Sequence, residues 1–330
     1  NMLMEAIVLR SDVNVAVQPS QPLPLFINAD YHGLYRWMPP KDLQWLKDIT
    51  GSDQVDVLEG PANEVLAGTD DHFRKGEKLL IDRAPADSIA KYFDLESLID
   101  LACLDLFTGR ADHDLNVRTF RPRTETGQWK WVLFDMDLWA PLNDNSLERM
   151  ITATNVETPY IPQLIENPEL QHMLLARIAA LNAGALSPEN TIAIVDSIYT
   201  DHRDQLELDH ERWKDELDRP TPGQALIEIK HFLEGRGEIL LEQLADRTGH
   251  SLRTVSIEVP DTSLARMTIN GLPLQSGKQK LLLFSGIPMQ LDLQLNYGVQ
   301  LIGWQGHTGT ESSITLDPAR VRSLKPRFAR

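Results

Sequence analysis

Residues 94–137 constrain the fold of this chain more strongly than any other stretch. Asp94 is a typical helix N-cap residue, and apolar side chains follow it at helical spacing. Gly109 is a typical residue for the end of that helix. The next seven residues, 110–116, are mostly ionisable or polar. The pattern predicts a buried helix that leads directly into a polar loop.

The second half of this stretch predicts a β-hairpin that ends in two carboxylates. Residues 117–121 alternate in the manner of a strand, residues 125–127 contain turn-forming side chains, and residues 129–134 return as a second strand. Asp135 and Asp137 follow that strand, and their spacing of two places them on one face. The stretch therefore ends in a pair of carboxylates that share one face.

These polar residues favour divalent-metal phosphoryl transfer. Mg²⁺ prefers carboxylate and amide oxygens, and the hydroxyl that accepts a phosphoryl group needs a carboxylate to orient it. We assign Asp112 as the catalytic base, Asn116 and Asp135 as metal ligands, and Asp137 as a supporting ligand or an outer carboxylate. The alternative, a solvated helix cap followed by a simple turn, remains open at this stage.

The loop does not match an ordinary protein kinase. The spacing between Asp112 and Asn116 is one residue shorter than in the usual kinase catalytic loop. No Phe-Gly pair follows Asp135, and the chain contains no glycine-rich phosphate loop. Lys41, the basic residue that follows the first predicted hairpin, is interpreted as the exposed start of a helix. An atypical active site is therefore expected.

The combination resembles the CotH kinase family, atypical protein kinases related to spore coat protein H. Further similarity lies in the hairpin at 26–35 and in the helical segment 232–236, so that the resemblance covers roughly residues 20 to 245. The residues that match the family pattern in the central stretch are Asp112, Asn116, Phe120, Gly127, Trp129, Asp135, Met136 and Asp137.

The resemblance implies an activity and a location. It implies transfer of phosphate from ATP, with Mg²⁺ or Mn²⁺, to a Ser, Thr or Tyr hydroxyl of a protein substrate. It also implies a bacterial protein located outside the cytoplasm or in the cell envelope, with a cytoplasmic location left open. Arg118 and Arg110 are candidates for contacts to the nucleotide, the alternative being a solvated edge strand, and His113 is a candidate for contact with the substrate.

The predicted fold class is α+β, with two domains. Residues 1–250 are expected to form an atypical protein-kinase-like domain with a small β-containing lobe, incomplete or divergent at its N-terminal end. Its mostly helical large lobe is expected over about 69–250, with helix starts at Asn167 or Pro168, at Ser187 and at Thr221.

Residues 251–330 have a different character, because short segments alternate with period two between Pro, Gly and Asn. This pattern predicts a small all-β sandwich. Part of it, residues 285–304, resembles the small β-repeats of bacterial surface proteins of the InlB type. The resemblance suggests that this domain binds a glycan or a protein.

The small lobe is predicted in more detail from its turn residues. A linker is expected over 11–22, a hairpin with strands 25–28 and 34–37, and a strand over 55–58 that closes the lobe. Residues 59–68 are interpreted as the passage to the large lobe.

Composition limits the possible partners. The chain of 330 residues contains 48 acidic and 32 basic residues and has a formal charge of −16, which disfavours nucleic acid and anionic membranes as partners. No apolar run is long enough to span a membrane. Cys103 is the single cysteine, so no disulfide can form within the chain, and its position predicts core packing.

Two other functions remain open from the sequence. One is a catalytically inactive pseudokinase that acts as a binding module of the envelope or surface. The other is a metal-dependent phosphohydrolase, in which Asp112, His113, Asp114, Asp135 and Asp137 would surround one or two ions.

Overall fold

The structure is a computed structural model that describes residues 1–112, 115–152 and 160–329. These residues form ten α-helices and fourteen β-strands. The helices are α1 (Met2–Arg10), α2 (Leu43–Thr50), α3 (Asp71–Ile81), α4 (Ala86–Ile89), α5 (Leu95–Thr108), α6 (Ser146–Thr152), α7 (Ile161–Glu166), α8 (Pro168–Ala183), α9 (Pro188–Trp213) and α10 (Pro222–Thr248). The strands are β1 (Gln21–Ile27), β2 (Asp30–Trp37), β3 (Val55–Glu59), β4 (Glu64–Ala67), β5 (Arg118–Pro122), β6 (Lys130–Trp131), β7 (Leu252–Val259), β8 (Ala265–Ile269), β9 (Leu272–Pro273), β10 (Gly277–Phe284), β11 (Met289–Leu295), β12 (Leu301–Gln305), β13 (Ser313–Leu316) and β14 (Ser323–Phe328).

The long helices begin where their capping residues predict. The side chain of Asn167 accepts from two backbone N–H groups of α8, and the Ser187 hydroxyl accepts from Asn190 N at the start of α9. Thr221 and Gln224 form a complete capping box at the start of α10. Each cap satisfies N–H groups that have no partner within the helix, so these three predictions are confirmed.

One four-stranded sheet, in the order β4-β3-β5-β6, carries the central stretch of the chain. β3 pairs antiparallel with β5, from Val55 opposite Pro122 to Glu59 opposite Arg118. The predicted strand 55–58 is confirmed as β3, which joins the sheet of β5. The interpretation of residues 59–68 as a passage is wrong in part, because residues 64–67 form a second neighbour of β3, the strand β4. The pairing of β3 with β5 joins residues about sixty positions apart, and no local pattern could reveal it.

The first hairpin is present with a tighter turn than predicted. β1 and β2 form a separate two-stranded sheet in which Ile27 lies opposite Asp30. Asn28 and Ala29 form the two-residue turn, and both have positive φ angles of 52° and 71°. Residues 30–33, predicted as loop, therefore belong to the second strand.

The predicted linker 11–22 is a packed part of the fold. Ala16 N donates to Trp131 O at 2.9 Å, and Leu133 N donates to Ala16 O at 2.8 Å. Residues 132–133 are thus held by this segment through an isolated bridge, and the regular strand is limited to Lys130–Trp131. The predicted strand 129–134 is shorter than expected for that reason.

Aromatic packing fixes the hairpin of β5 and β6 against the helices. Trp129 and Trp131 are both fully buried. Trp129 lies edge-on to Phe73 of α3 at 5.1 Å, and Trp131 contacts Phe93, which precedes α5, at 5.6 Å between ring centroids. The strand that leads to Asp135 is therefore anchored in the core.

The C-terminal strands form two four-stranded sheets, in the orders β10-β7-β14-β12 and β13-β11-β8-β9. The short alternating segments expected after residue 250 are present as strands, which fits the small all-β part of the predicted α+β fold. A continuous set of buried side chains extends from α1 through the helices into both sheets. Cys103, buried on α5, belongs to this core as predicted.

Candidate active site

The candidate site begins where α5 ends. Asp94 accepts from Ser97 N at 3.1 Å at the N-terminus of the helix, and Gly109 closes the C-terminus with a left-handed φ of 60°. A Cβ atom at Gly109 would lie 2.8 Å from Ala140 Cβ. Glycine therefore permits both the backbone turn and the close approach of the chain that follows Asp137.

Two backbone hydrogen bonds then join the polar loop to that returning chain. Ala140 N donates to Thr108 O, and Ala111 N donates to Leu138 O, both at 3.1 Å. The loop that carries Asp112 therefore lies beside the segment that carries Asp137. This contact brings together two motifs that the sequence separates by more than twenty residues.

Within the loop, Asp112 and Asn116 contact each other directly. Asn116 Nδ2 donates to Asp112 Oδ2 at 2.5 Å, and Asn116 N donates to Asp112 O at 3.3 Å. The other carboxylate oxygen, Asp112 Oδ1, is buried and has no hydrogen-bond partner among the described residues. A buried carboxylate oxygen without a partner is unfavourable unless a ligand or substrate satisfies it.

Arg110 joins this loop to the start of the carboxylate pair. Its guanidinium is fully buried and forms an ion pair with Asp105 at 3.0 Å. One nitrogen, Nη1, donates both to Phe134 O at 2.6 Å and to Asn116 O at 3.4 Å. The interpretation of Arg110 as a nucleotide contact is therefore wrong, because its charge is directed into the protein and is neutralised there.

Asp105, the partner of Arg110, is completely buried. Burial raises its pKa to about 6, against the opposing effect of the Arg110 charge, which favours the ionised form. Asp105 was not selected from the sequence. Asp105 lies on the buried face of a helix, where an acidic residue without a partner is unfavourable, and that was the available signal.

Asp135 and Asp137 are both exposed, while Met136 between them is buried. Asp135 has a left-handed backbone with φ of 50°, which is unusual for a residue other than glycine. The Asn1 side chain holds this turn, because its Oδ1 accepts from Met136 N at 2.6 Å and its Nδ2 donates to Asp135 Oδ1 at 3.3 Å. Backbone conformations of this kind are found preferentially at functional sites and in tight turns.

A cleft of about 700 Å³ opens beside Asp135. Basic side chains line one part of it, and Met38, Pro39, Leu46 and Leu66 line the apolar part. The basic residues of the lining are Arg36, Lys41 and Arg118. Its volume is within the usual range for sites that bind small molecules.

Lys41 is held at this cleft, so its interpretation as an exposed helix start is wrong. Its Nζ donates to Leu133 O at 2.7 Å and lies 5.2 Å from the centre of the Phe134 ring. Burial lowers its pKa from the ordinary lysine value. Since Leu133 immediately precedes Phe134 and Asp135, the ammonium lies close to the carboxylate pair.

Arg118, the second candidate for a nucleotide contact, also lines the cleft. Its guanidinium lies 5.1 Å from the Phe134 ring, on which Lys41 also packs. It forms an ion pair with Glu59 of β3 and donates to Lys41 O. The position suits a contact to phosphate, but the charge already has a carboxylate partner.

The donors present fit a magnesium site of the phosphate-bridged kind. Among residues 1–112, 115–152 and 160–329, no three His, Cys, Asp or Glu side chains are grouped as a protein-only metal centre requires. Mg²⁺ with nucleotides is usually held by one or two protein oxygens together with phosphate oxygens. Asn116 and Asp135 provide two such protein oxygens. Arg110 Nη1 holds their segments together, because it donates both to Asn116 O and to Phe134 O, the carbonyl that precedes Asp135.

Two predicted residues of the loop lie outside the described part of the chain. These are His113, the candidate for substrate contact, and Asp114. Their assignments remain predictions from the sequence.

Comparison with protein families places this geometry in context. The model of the family described as CotH kinase protein matches residues 71–240, which is just over half of the chain. The chain belongs to the CotH kinase protein family. The match begins at α3, ends within α10 and includes Asp112, Asn116, Asp135 and Asp137. No curated protein matches the chain.

Membership in the CotH kinase protein family confirms the resemblance seen in the sequence. Lys41 and the sheets that follow residue 250 lie outside the matched range. None of the described helices has the length and apolar character that crossing a membrane requires.

Proposed function

We propose that this protein transfers phosphate from ATP to a Ser, Thr or Tyr hydroxyl of a protein substrate. The observation that carries the proposal is the basic cleft beside Asp135, to which Arg110 joins the loop of Asp112 and Asn116. A nucleotide pocket, a pair of oxygen ligands and a carboxylate base are the parts that kinase chemistry requires.

The cleft would hold the nucleotide by two kinds of contact. Its apolar part suits the adenine ring, and the phosphates would lie toward Lys41 and Arg118. The lowered pKa of Lys41 still leaves a positive charge for phosphate, because a phosphate group stabilises the protonated amine. Lys41 would therefore supply the phosphate contact that a glycine-rich loop and its lysine supply in ordinary kinases.

Asn116 and Asp135 would hold Mg²⁺ or Mn²⁺, with Asp137 in support. An ion held by these residues would supply positive charge against the phosphates during transfer. The Asp112 side chain would accept the proton of the acceptor hydroxyl. Its Oδ2 is fixed by Asn116, so that Oδ1 is the oxygen available for this task.

A binding experiment tests the nucleotide and metal sites. We expect ATP with Mg²⁺ or Mn²⁺ to raise the melting temperature, because a ligand that binds the folded state stabilises it by mass action. Asp135→Ala should abolish the metal-dependent part of the rise and the binding heat in calorimetry. The control is Asp53→Ala, which removes an exposed carboxylate before β3 and should leave both unchanged. Unchanged ATP binding by Asp135→Ala would contradict the proposal.

A second candidate is an inactive kinase-like protein that serves as a binding module. One observation favours it, since each basic side chain of the cleft already has a partner: Arg36 pairs with Glu5, Arg118 with Glu59, and Lys41 with Leu133 O. Radiolabelled ATP distinguishes the candidates. Labelled protein supports the kinase, absence of binding and transfer supports the binding module, and release of free phosphate without labelled protein supports the metal-dependent phosphohydrolase.

A further inference from the structure

The charge of this chain is divided unevenly along its length. Residues 251–330 contain nine Lys or Arg and five Asp or Glu, which gives a formal charge of +4. The first 250 residues contain 23 Lys or Arg and 43 Asp or Glu, which gives a formal charge of −20. The all-β part is therefore a basic unit attached to a strongly acidic one, and a polyanion would be attracted to the first and repelled by the second.

Three of these nine basic side chains lie together on the outer face of one sheet. Lys278 and Lys280 are exposed on β10, and Lys325 is exposed on β14, with β7 between these two strands. The pairings place Lys278 opposite Glu258 and Lys280 opposite Ser256, and Ser256 opposite Ser323. Because neighbouring strands are about 4.8 Å apart, the lysines of β10 and β14 lie on the order of 10 Å apart across the face.

A cleft of about 280 Å³ runs along this face. Its polar lining consists of Ser256, Glu258, Lys278, Gln279, Lys280, Gln305, Ser323 and Lys325. No aromatic side chain is among the described residues that line it. The face thus offers cations, hydroxyls and amides, but none of the aromatic anchors that dominate protein–protein contacts.

The residues next to the cleft limit the direction in which a ligand can lie. Lys278 and Lys280 also border a second cleft, where Glu189, Glu234 and Glu238 of the helices face the same strand. These glutamates would repel an anionic chain from the helical side. Within the sheet, Glu258 is the acidic residue of the lining, and Lys325 binds it at 2.6 Å.

We propose that the outer face of β10, β7 and β14 binds an acidic polysaccharide. Carboxylates on the sugar rings would pair with Lys278, Lys280 and Lys325, and ring hydroxyls would bond to the serines and to Gln305. The separation of the lysines is close to the length of a disaccharide unit, so that in a polyuronate the lysines on either side of β7 would pair with the carboxylates of every second ring. The inference concerns a surface separate from the cleft at Asp135 and does not depend on the proposed kinase activity.

The test uses the full chain and fluorescein-labelled polygalacturonate, with binding followed by anisotropy. We expect Lys278→Gln/Lys280→Gln/Lys325→Gln to weaken binding roughly tenfold, as the loss of three exposed charge pairs implies. The matched control is Lys75→Gln/Lys78→Gln/Lys91→Gln, which removes the same charge from exposed positions of the helical part and should have no such effect. Glu258→Gln should tighten binding, because it releases Lys325.

Other outcomes would overturn the proposal. Equal weakening in both triple variants would mean that only net charge matters. Polyglutamate bound as tightly as polygalacturonate would point to an acidic protein segment instead. Neutral dextran bound equally well would remove the role of charge, and absence of polygalacturonate binding at low salt would contradict the site itself.

Discussion

Lys41 connects two parts of the chain that lie 92 residues apart, through its hydrogen bond to Leu133 O. The ammonium group that makes this contact also lies over the ring of Phe134, next to the residue proposed as a metal ligand. At the level of single residues, the cleft therefore combines one partly buried lysine with one exposed aspartate. Their proximity gives the site opposite charges for the phosphates and for the ion.

Replacement of Lys41 tests the nucleotide cleft. We expect Lys41→Met to raise KM for ATP by roughly tenfold or more, since a hydrogen bond between charged groups contributes about 1.5–3 kcal/mol. Lys41→Arg should restore part of the affinity because it keeps the charge. Steady-state kinetics over a range of ATP concentrations gives the result, and an unaltered KM in Lys41→Met would place the phosphates elsewhere.

His72 predicts how stability depends on pH. Burial and then the charge of Arg121 lower its pKa from 6.5 to about 4, although Asp56 acts in the opposite direction. The unfolded chain takes up a proton near pH 6.5 and the folded chain only near pH 4. The free energy of unfolding contributed by this residue is therefore present above pH 6.5 and lost as the pH falls to 4.

The size of that loss can be measured by comparison with His72→Gln, which cannot titrate. Because the ring is partly exposed, we expect a difference of about 1 kcal/mol between the two pH profiles after allowance for solvent screening. Urea unfolding at pH 7 and pH 4 provides the numbers. Parallel profiles for the two proteins would show that His72 titrates alike in the folded and unfolded chains.

At the level of elements, one buried ion pair joins three parts of the chain. These are the end of α5, the polar loop and the segment that follows β6. Arg110 and Asp105 do not contact solvent, and the carbonyl groups of Asn116 and Phe134 accept from the same guanidinium nitrogen. The pair therefore affects the site by positioning other residues, without contacting a ligand itself. It keeps the loop and the carboxylate segment at a fixed separation.

A double substitution separates this positioning role from stability. Arg110→Met alone should destabilise the protein by about 3–5 kcal/mol, because it leaves the Asp105 charge buried without its partner. Asp105→Leu/Arg110→Met should recover much of that stability yet retain low turnover, since nothing then joins Asn116 O to Phe134 O. Urea unfolding and kcat measured on both variants decide the matter. Normal turnover in the double variant would exclude the positioning role.

For the whole molecule, the sequence predictions that hold are those that depend on interactions between residues close together in the chain. Asp94, Ser187 and Thr221 were identified because a cap acts on N–H groups two or three residues away. The assignments of Asp112 and Asp135 stay predictions, and they rest on residue types and spacing that are informative without a fold. The family match over 71–240 agrees with that part of the interpretation.

The predictions that differ from the structure depended on distant contacts. Nothing near Lys41 in sequence shows that its ammonium meets Leu133, and the burial of Arg110 follows from the close packing of α5 against the chain after Asp137. The sheet of β3 and β5 likewise joins residues about sixty positions apart. Local patterns describe where elements begin, whereas the partners of a charged side chain emerge only from the assembled fold.

The core that runs from the helices into both C-terminal sheets has a consequence for evolution. Arg177 of α8 pairs with Asp100 of α5 and also donates to Asn270 O, at the turn between β8 and β9. The C-terminal all-β part therefore cannot be exchanged by simple recombination at residue 250. A replacement would have to accommodate the buried charge of Arg177 and also fit the apolar surface of the helices. Inheritance should therefore preserve the two parts as a pair, and substitutions on one side of the junction should be followed by compensating changes on the other.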